Sequence, residues 1–250
     1  MIEVKQLCAA YGKKEILHDL SLSFEKGRLT SVIGVNGCGK STLLKAILRM
    51  LPLCSGEIRI DGRLITELPR DALARKVACL PQGRATPDMT VQQLVLHGRF
   101  PHLKYPRRYG QRDYAIAGSA MEQVGVAEYA HRPLRALSGG MRQNAYIAMA
   151  LAQGTEYILL DEPTSYLDIA HQLELMKLLR GLADEGKGIV SVLHDLPMAL
   201  RFSDRIILLH AGRLLCQAAP EAFREGELLK QIFGVELCYS AETQSYSYRY

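Results

Sequence analysis

The stretch Gly34-Val35-Asn36-Gly37-Cys38-Gly39-Lys40-Ser41-Thr42 fits the pattern G-x-x-x-x-G-K-[ST]. It follows a short β-rich run, Leu29–Ile33. It precedes Leu43, Leu44, Ile47, Leu48 and Leu51, which have helical spacing until Pro52 stops them. A strand, a glycine loop and a helix in that order are the context the motif's chemistry requires. The glycines let backbone N–H groups converge on phosphate with no Cβ in the way, and the helix N-terminus adds partial positive charge. Lys40 then neutralises β/γ-phosphate charge, and Ser41 offers a hydroxyl to Mg²⁺. This establishes a nucleotide-phosphate site and not yet a reaction.

Outward from the loop, strands alternate with helices. Residues 4–7 and 16–24 read as strands joined by a Tyr-Gly-Lys-Lys turn. Residues 58–60 read as a strand, 69–76 as a short helix and Val77–Leu80 as a buried strand. Residues 83–136 differ in kind: helices are expected at 90–96 and 113–124, joined by a basic, Pro-rich connection, with no strand. A helix at 138–153, an apolar strand at 157–160, an amphipathic helix at 169–185 and a buried strand at 189–193 follow. Then come a helix at 195–202, a hairpin-like pair at 205–209 and 213–216, and one helix over 219–233. Tyr246, Tyr248 and Tyr250, at period two, are a short edge strand or a tail. The fold class is therefore α/β: a P-loop core with a mostly parallel sheet, an N-terminal antiparallel β part and a helical insertion. Residues 1–250 form a single domain in this reading, with the core at about 1–82 and 154–250 and the helical subdomain at about 83–153.

Composition closes off other classes. The chain has 250 residues, 48% hydrophobic and 23% charged, which excludes disorder and low-complexity structure. A net charge of +5 is too weak to argue for nucleic acid. Six cysteines without a CxxC pair fit reduced thiols in a cytosolic compartment. The start reads as free of a signal peptide, and no window approaches about 18 uninterrupted apolar residues, so any membrane-spanning partner is another chain.

Two further motifs carry chemistry. Residues 157–160 lead into Asp161-Glu162-Pro163-Thr164. An acid at the end of a buried strand can hold Mg²⁺, and a second carboxylate beside it can align and deprotonate water. Leu137-Ser138-Gly139-Gly140-Met141-Arg142-Gln143 opens a helix. Taken alone it is either an anion site or an ordinary N-cap with loop glycines.

Together these motifs resemble the ATP-binding subunit of an ABC transporter, over roughly residues 2 to 235. The first matches Walker A, the second Walker B with the catalytic Glu162, and the third the signature. Smaller matches fall in the expected order: Tyr11 for the aromatic that stacks on adenine, Gln82 for the Q-loop, Ser165-Tyr166-Leu167-Asp168 for the D-loop and His194 for the switch histidine. The resemblance implies ATP and Mg²⁺ as cofactors. ATP would lie on Tyr11, Gly34, Asn36, Gly37, Cys38, Gly39, Lys40, Ser41 and Thr42, with Ser138, Gly139 and Gly140 contributed across a dimer, and Asp168 would also bind it. Mg²⁺ would take Ser41, Gln82 and Asp161, and Glu162, Gln82 and His194 would be catalytic. It also implies a head-to-tail homodimer under two integral membrane permease subunits, at the cytoplasmic face of the membrane, served by an extracytoplasmic binding protein, with no nucleic acid partner. Position 35 is Val where Pro is usual, 141 is Met where Gln is usual, and 144 is Asn where a basic residue is common.

Residues 96–102, 167–172 and 192–196 look like the ATPases of iron-siderophore, haem and cobalamin importers. A ferric siderophore is the leading cargo, with haem, cobalamin or another substrate as alternatives. A soluble ABC ATPase that remodels a protein or nucleic-acid complex is the rival of a different class. Arg99, Lys104, Arg107, Arg108 and Arg112, interleaved with Phe100, Tyr105 and Tyr109, are a nucleic-acid patch, a solvated loop or a surface near the permease and anionic lipid. His97, His102 and His171 have no recognised metal-ligand spacing and read as ordinary surface or hydrogen-bonded histidines. Cys38, ahead of a helix N-terminus and two residues before Lys40, is expected to be a reactive thiol of lowered pKa.

Overall fold

The computed structural model describes every residue except Arg84, Ala85, Tyr166, Glu225, Ala241, Thr243, Gln244 and Tyr250. Two compact units are present: Met1–Leu68 with Leu179–Tyr250, and Pro69–Leu178. Residues 83–153, the expected helical subdomain, lie inside the second unit.

The first unit begins with β1 (Ile2–Tyr11), β2 (Lys14–Phe24), β3 (Leu29–Ile33), α1 (Lys40–Ile47), β4 (Leu53–Ile60) and β5 (Arg63–Leu64). An antiparallel sheet runs in the order β2-β1-β4-β5. β1 is longer than its alternation suggests, because its phase slips. Ile2 and Val4 are buried, and then Leu7 and Ala9. The slip is a bulge: the register shifts between Val4 and Leu7, and Gln6 takes φ +49°. The Gln6 N–H donates to Ser21 Oγ at 2.9 Å. On β4, Gly56 is needed beneath the bulge, since a Cβ there would overlap the Gln6 carbonyl.

The second unit holds α2 (Arg70–Lys76), β6 (Val77–Leu80), α3 (Val91–His97), α4 (Gln111–Gln123), α5 (Gly139–Ala152), β7 (Tyr157–Asp161) and most of α6 (Ile169–Asp184). β6 pairs parallel with β7, from Val77 opposite Tyr157 to Leu80 opposite Leu160. α3 starts in a capping box: the Thr90 N–H donates to Gln93 Oε1 and the Gln93 N–H to Thr90 Oγ1. Val91, Leu94, Val95, Ala117, Met121 and Ile147 form the buried seam of α3, α4 and α5. Arg99 departs from its expected place in a basic surface stretch. It is buried, with Nε donating to Asp113 Oδ1 at 3.0 Å and Nη1 to the Ala152 carbonyl at 2.8 Å. It therefore closes the C-terminal end of α5 and contributes nothing to a charged surface.

The chain returns to the first unit with β8 (Gly188–Val192), α7 (Leu196–Phe202), β9 (Arg205–His210), β10 (Arg213–Ala218), α8 (Glu227–Phe233), β11 (Glu236–Ser240) and β12 (Ser245–Arg249). β3 pairs parallel with β8 and with β9, and β10 pairs antiparallel with β9 as the expected hairpin. Every residue of β3 and β8 is buried, which is why both read as short continuous runs without alternation. The single helix expected over 219–233 is instead a 3₁₀ turn, Pro220–Phe223, followed by α8. Gly226 at φ +72° stands between them, a left-handed residue that no helix continues through. The C-terminal tyrosines belong to a strand: β12 pairs with β11, and the rings of Tyr239 and Tyr246 lie 5.0 Å apart. Tyr250 is outside the described residues. Among the described residues no helix is long and apolar enough to cross a membrane. All six cysteines are free.

Candidate active site

The phosphate loop lies wholly in the first unit. Gly34 takes φ +153°, and a Cβ there would overlap the Leu209 carbonyl and stand 2.6 Å from Cys38 Sγ. Gly39 takes φ +106° and has Leu17 Cδ2 at 2.5 Å from the same built position. The loop is thus pressed between β9 and β2, and glycine is required at both points for backbone and for space. Lys40 opens α1 and is buried. Its Nζ donates to the Gly34 carbonyl at 2.8 Å and to the Val35 carbonyl at 3.1 Å, so the loop is wrapped around the ammonium. Thr42 is buried, Ser41 half-buried, and Asn36 and Gly37 exposed at the loop's crest. Tyr11, at the end of β1, is 46% exposed and has Lys45 Nζ 5.6 Å from its ring centroid, which leaves ring area open to a stacking partner. His194 is exposed at the bend after β8, and Asp195 caps α7 by accepting from the Met198 N–H at 2.7 Å.

Cys38 corrects the sequence expectation. Its side chain is 2% exposed, and burial pushes the thiol up, against the opposing influence of Lys40. The close approach of Gly34 covers the sulfur, and the helix N-terminus does not make up for lost solvent. Cys54 and Cys238 are exposed. With a small maleimide and peptide mapping, both label ahead of Cys38 in the nucleotide-free chain. Faster modification of Cys38 than of either would reverse this conclusion.

The acidic site lies wholly in the second unit. Asp161 is the buried last residue of β7, and Glu162 follows at φ +52°. A non-glycine residue in that region costs about 1–3 kcal/mol and persists only where its surroundings hold it. Several hydrogen bonds do so. Gln143 Nε2, from α5, donates to the Pro163 carbonyl at 2.8 Å. Gln172 Nε2 donates to the carbonyls of Thr164 at 3.2 Å and Leu167 at 3.0 Å. Glu162 Oε2 accepts from Gln82 Nε2 at 2.5 Å and from Ser165 Oγ at 3.2 Å. Gln82, Glu162, Ser165, Gly139 and Arg142 line one cleft of about 160 Å³. Sequence reasoning named Ser165 and Gln143 only as motif letters. Their roles, holding the acidic turn, are legible only once α5 is folded beside it.

Ser138 is the N-cap of α5, accepting from the Met141 N–H at 3.3 Å. Gly139 and Gly140 form the first turn. Asn144, where a basic residue is common, donates to the Val124 carbonyl at the end of α4 at 3.0 Å. Asp168 is exposed. Its carboxyl is held below the usual range, first by the His171 backbone N–H and then by the His171 ring. Tyr166, of the same motif, is outside the described residues. His102 also has a partner, the Gln153 carbonyl at 2.8 Å, and among the described residues no cluster of metal-ligating side chains occurs.

In the first unit a glycine loop opens α1 after a buried parallel strand, the form of a P-loop; in the second, an Asp and a Glu stand together at the end of a buried strand. A family model described as ABC transporter matches residues 17–165. The iron(3+)-hydroxamate import ATP-binding protein FhuC of Bacillus subtilis (strain 168) is 44% identical over 237 residues, 94% of this chain and 88% of that protein. The ferric enterobactin transport ATP-binding protein FepC of Escherichia coli (strain K12) is 40% identical over 92% of this chain and 86% of that protein. A solved chain of an inward-facing transporter, described as of the metal-chelate ABC type, is similar at TM-score 0.86 and 27% identity, over 100% of this chain and 97% of that one. The chain belongs to the ABC transporter family as an ATP-binding subunit, an ATPase coupled to transport, as its motifs imply.

Proposed function

We propose that this subunit powers import of a metal chelate, with a ferric siderophore as cargo. The observation that carries the cargo class is identity of 44% and 40%, over more than nine-tenths of the chain, to proteins named for iron-hydroxamate and ferric enterobactin transport. In this reading the chain sits at the cytoplasmic face as a homodimer beneath two permease subunits, supplied by an extracytoplasmic binding protein. ATP stacks on Tyr11 and lies on residues 34–42 of one chain, closed by Ser138, Gly139, Gly140 and Asp168 of the other. The hydroxyl of Ser41, the amide oxygen of Gln82 and the carboxylate of Asp161 are the oxygen donors Mg²⁺ takes, and the ion would neutralise phosphate charge when bound. Glu162 deprotonates the attacking water, and His194 and Gln82 orient the reacting groups. The metal chelate touches other chains only.

Cargo is tested with the chain co-purified with its permease in liposomes. Binding protein loaded with ferric siderophore is expected to raise ATP hydrolysis, whereas haem-loaded or cobalamin-loaded protein leaves it at the basal rate. Stimulation by haem or cobalamin alone would replace the siderophore reading, and co-purification with ribosomes or nucleic acid instead of a polytopic membrane protein would replace transport. The composite site is tested in heterodimers. Lys40→Ala on one chain with Ser138→Arg on the other places both lesions in one site and spares the second. Both on one chain damages both sites. The first arrangement retains more nucleotide occupancy, and equal losses would remove the head-to-tail dimer.

A further inference from the structure

His171, in the first turn of α6, reaches two motifs at once. Its backbone N–H donates to Asp168 Oδ1 at 2.9 Å, and its ring Nδ1 lies 2.8 Å from each carboxylate oxygen of Asp168. With Asp168 ionised, Nδ1 carries the hydrogen and donates. The opposite edge of the same ring lies against Gly140. A Cβ built on Gly140 would stand 2.7 Å from His171 Cδ2 and 3.1 Å from Nε2.

Gly140 belongs to α5 and has no left-handed φ, so backbone conformation does not call for glycine there. Space does, and the imidazole fills that space. Asp168 has a side chain 65% exposed, yet His171 ties it through both main chain and ring. One planar side chain therefore bridges the exposed carboxylate of one loop and the glycine turn that opens α5.

We infer that His171 is a positioning residue that locks the Asp168 loop to the Gly139-Gly140 turn, so that the two segments present themselves to the opposing nucleotide as one body. The inference rests on the composite-site reading above for its effect on turnover. His171 itself touches no substrate. It acts through geometry, since a misplacement of about 1 Å remote from the chemistry can cost about 10²-fold in rate.

Three variants separate the two contacts. His171→Asn keeps a donor near the place of Nδ1 and removes the ring edge. His171→Phe keeps a ring on Gly140 and removes the donor. His171→Ala removes both. The Ala variant is expected to lower kcat by about 10- to 100-fold. Affinity for a labelled ATP analogue, set by the phosphate loop, stays within about twofold. Asn and Phe each recover part of the loss. In the full chain without nucleotide, amide exchange in a peptide covering 138–142 speeds up in His171→Ala, to the same extent in Asp168→Ala, and no further in the double variant. An unchanged exchange rate or an unchanged kcat in His171→Ala overturns the inference, as do additive effects of the two substitutions. The exchange measurement needs no second chain and no hydrolysis. If Glu162→Gln leaves turnover intact, the catalytic reading falls, while exchange still decides whether His171 forms the link.

Discussion

Glu162→Gln leaves ATP binding intact and lowers hydrolysis about 10²–10⁴-fold, the usual contribution of a positioned general base. The substitution is close to isosteric. The amide oxygen can still accept from Gln82 Nε2 and Ser165 Oγ, the two donors now on Oε2. The left-handed backbone at position 162 is held by the Gln143 bond to Pro163 and the Gln172 bonds to Thr164 and Leu167, none of which involves the Glu162 side chain. The turn therefore keeps its shape, and thermal unfolding of the variant matches that of the parent. The amide cannot take a proton from water at neutral pH, so chemistry stops after binding and, in the proposed composite-site reading, an ATP-bound dimer is expected to accumulate. Phosphate release under saturating ATP measures the rate, and size-exclusion chromatography with ATP measures the trapped dimer. Near-parental turnover would show that another group is the base and would leave Glu162 as a structural member of its cleft.

What could be read in advance follows how local each cause is. β3, β6 and the loop after β3 are legible because buried parallel strands are short apolar runs and the glycines mark the turn directly. β1 is cut short by its alternation because the bulge at Gln6 reverses the phase, and the bulge depends on Ser21 and Gly56 in neighbouring strands. The break at Gly226 is visible as a glycine, but its left-handed conformation is fixed only in the fold. Among the candidate site residues, Lys40, Asp161 and Glu162 stand out by spacing. The state of Cys38 does not: nearness to Lys40 and to a helix N-terminus argues for a thiolate, and burial under Gly34 outweighs both. Arg99 fails for the same reason. Its basic neighbours are adjacent in sequence, whereas its partners, Asp113 and the Ala152 carbonyl, are brought in by helix packing. His171 is separated from Gly140 by 31 positions of chain, and no periodicity connects them.

Lys40→Ala is expected to weaken ATP binding by about 2–5 kcal/mol, or roughly 30- to several-thousand-fold in Kd. The size follows from burial. Lys40 as a residue is 6% exposed, and its ammonium is held by the loop's own carbonyls, so its charge acts on bound phosphate with little screening by water. Two effects then add. The β/γ-phosphates lose their principal cation, and the carbonyls of Gly34 and Val35 lose the donor that now holds them inward, which loosens the loop before any ligand arrives. The two are separable by ligand charge. In the proposed reading adenosine, which presents no phosphate, depends only on stacking at Tyr11 and is expected to keep its affinity in the variant, while the loss grows from ADP to ATP as the charge facing position 40 rises. Equilibrium binding of the three ligands, on parent and variant, checks this order. An equal loss for all three would mean that Lys40 acts by holding the loop's shape, and unchanged ATP affinity would remove it from the site altogether.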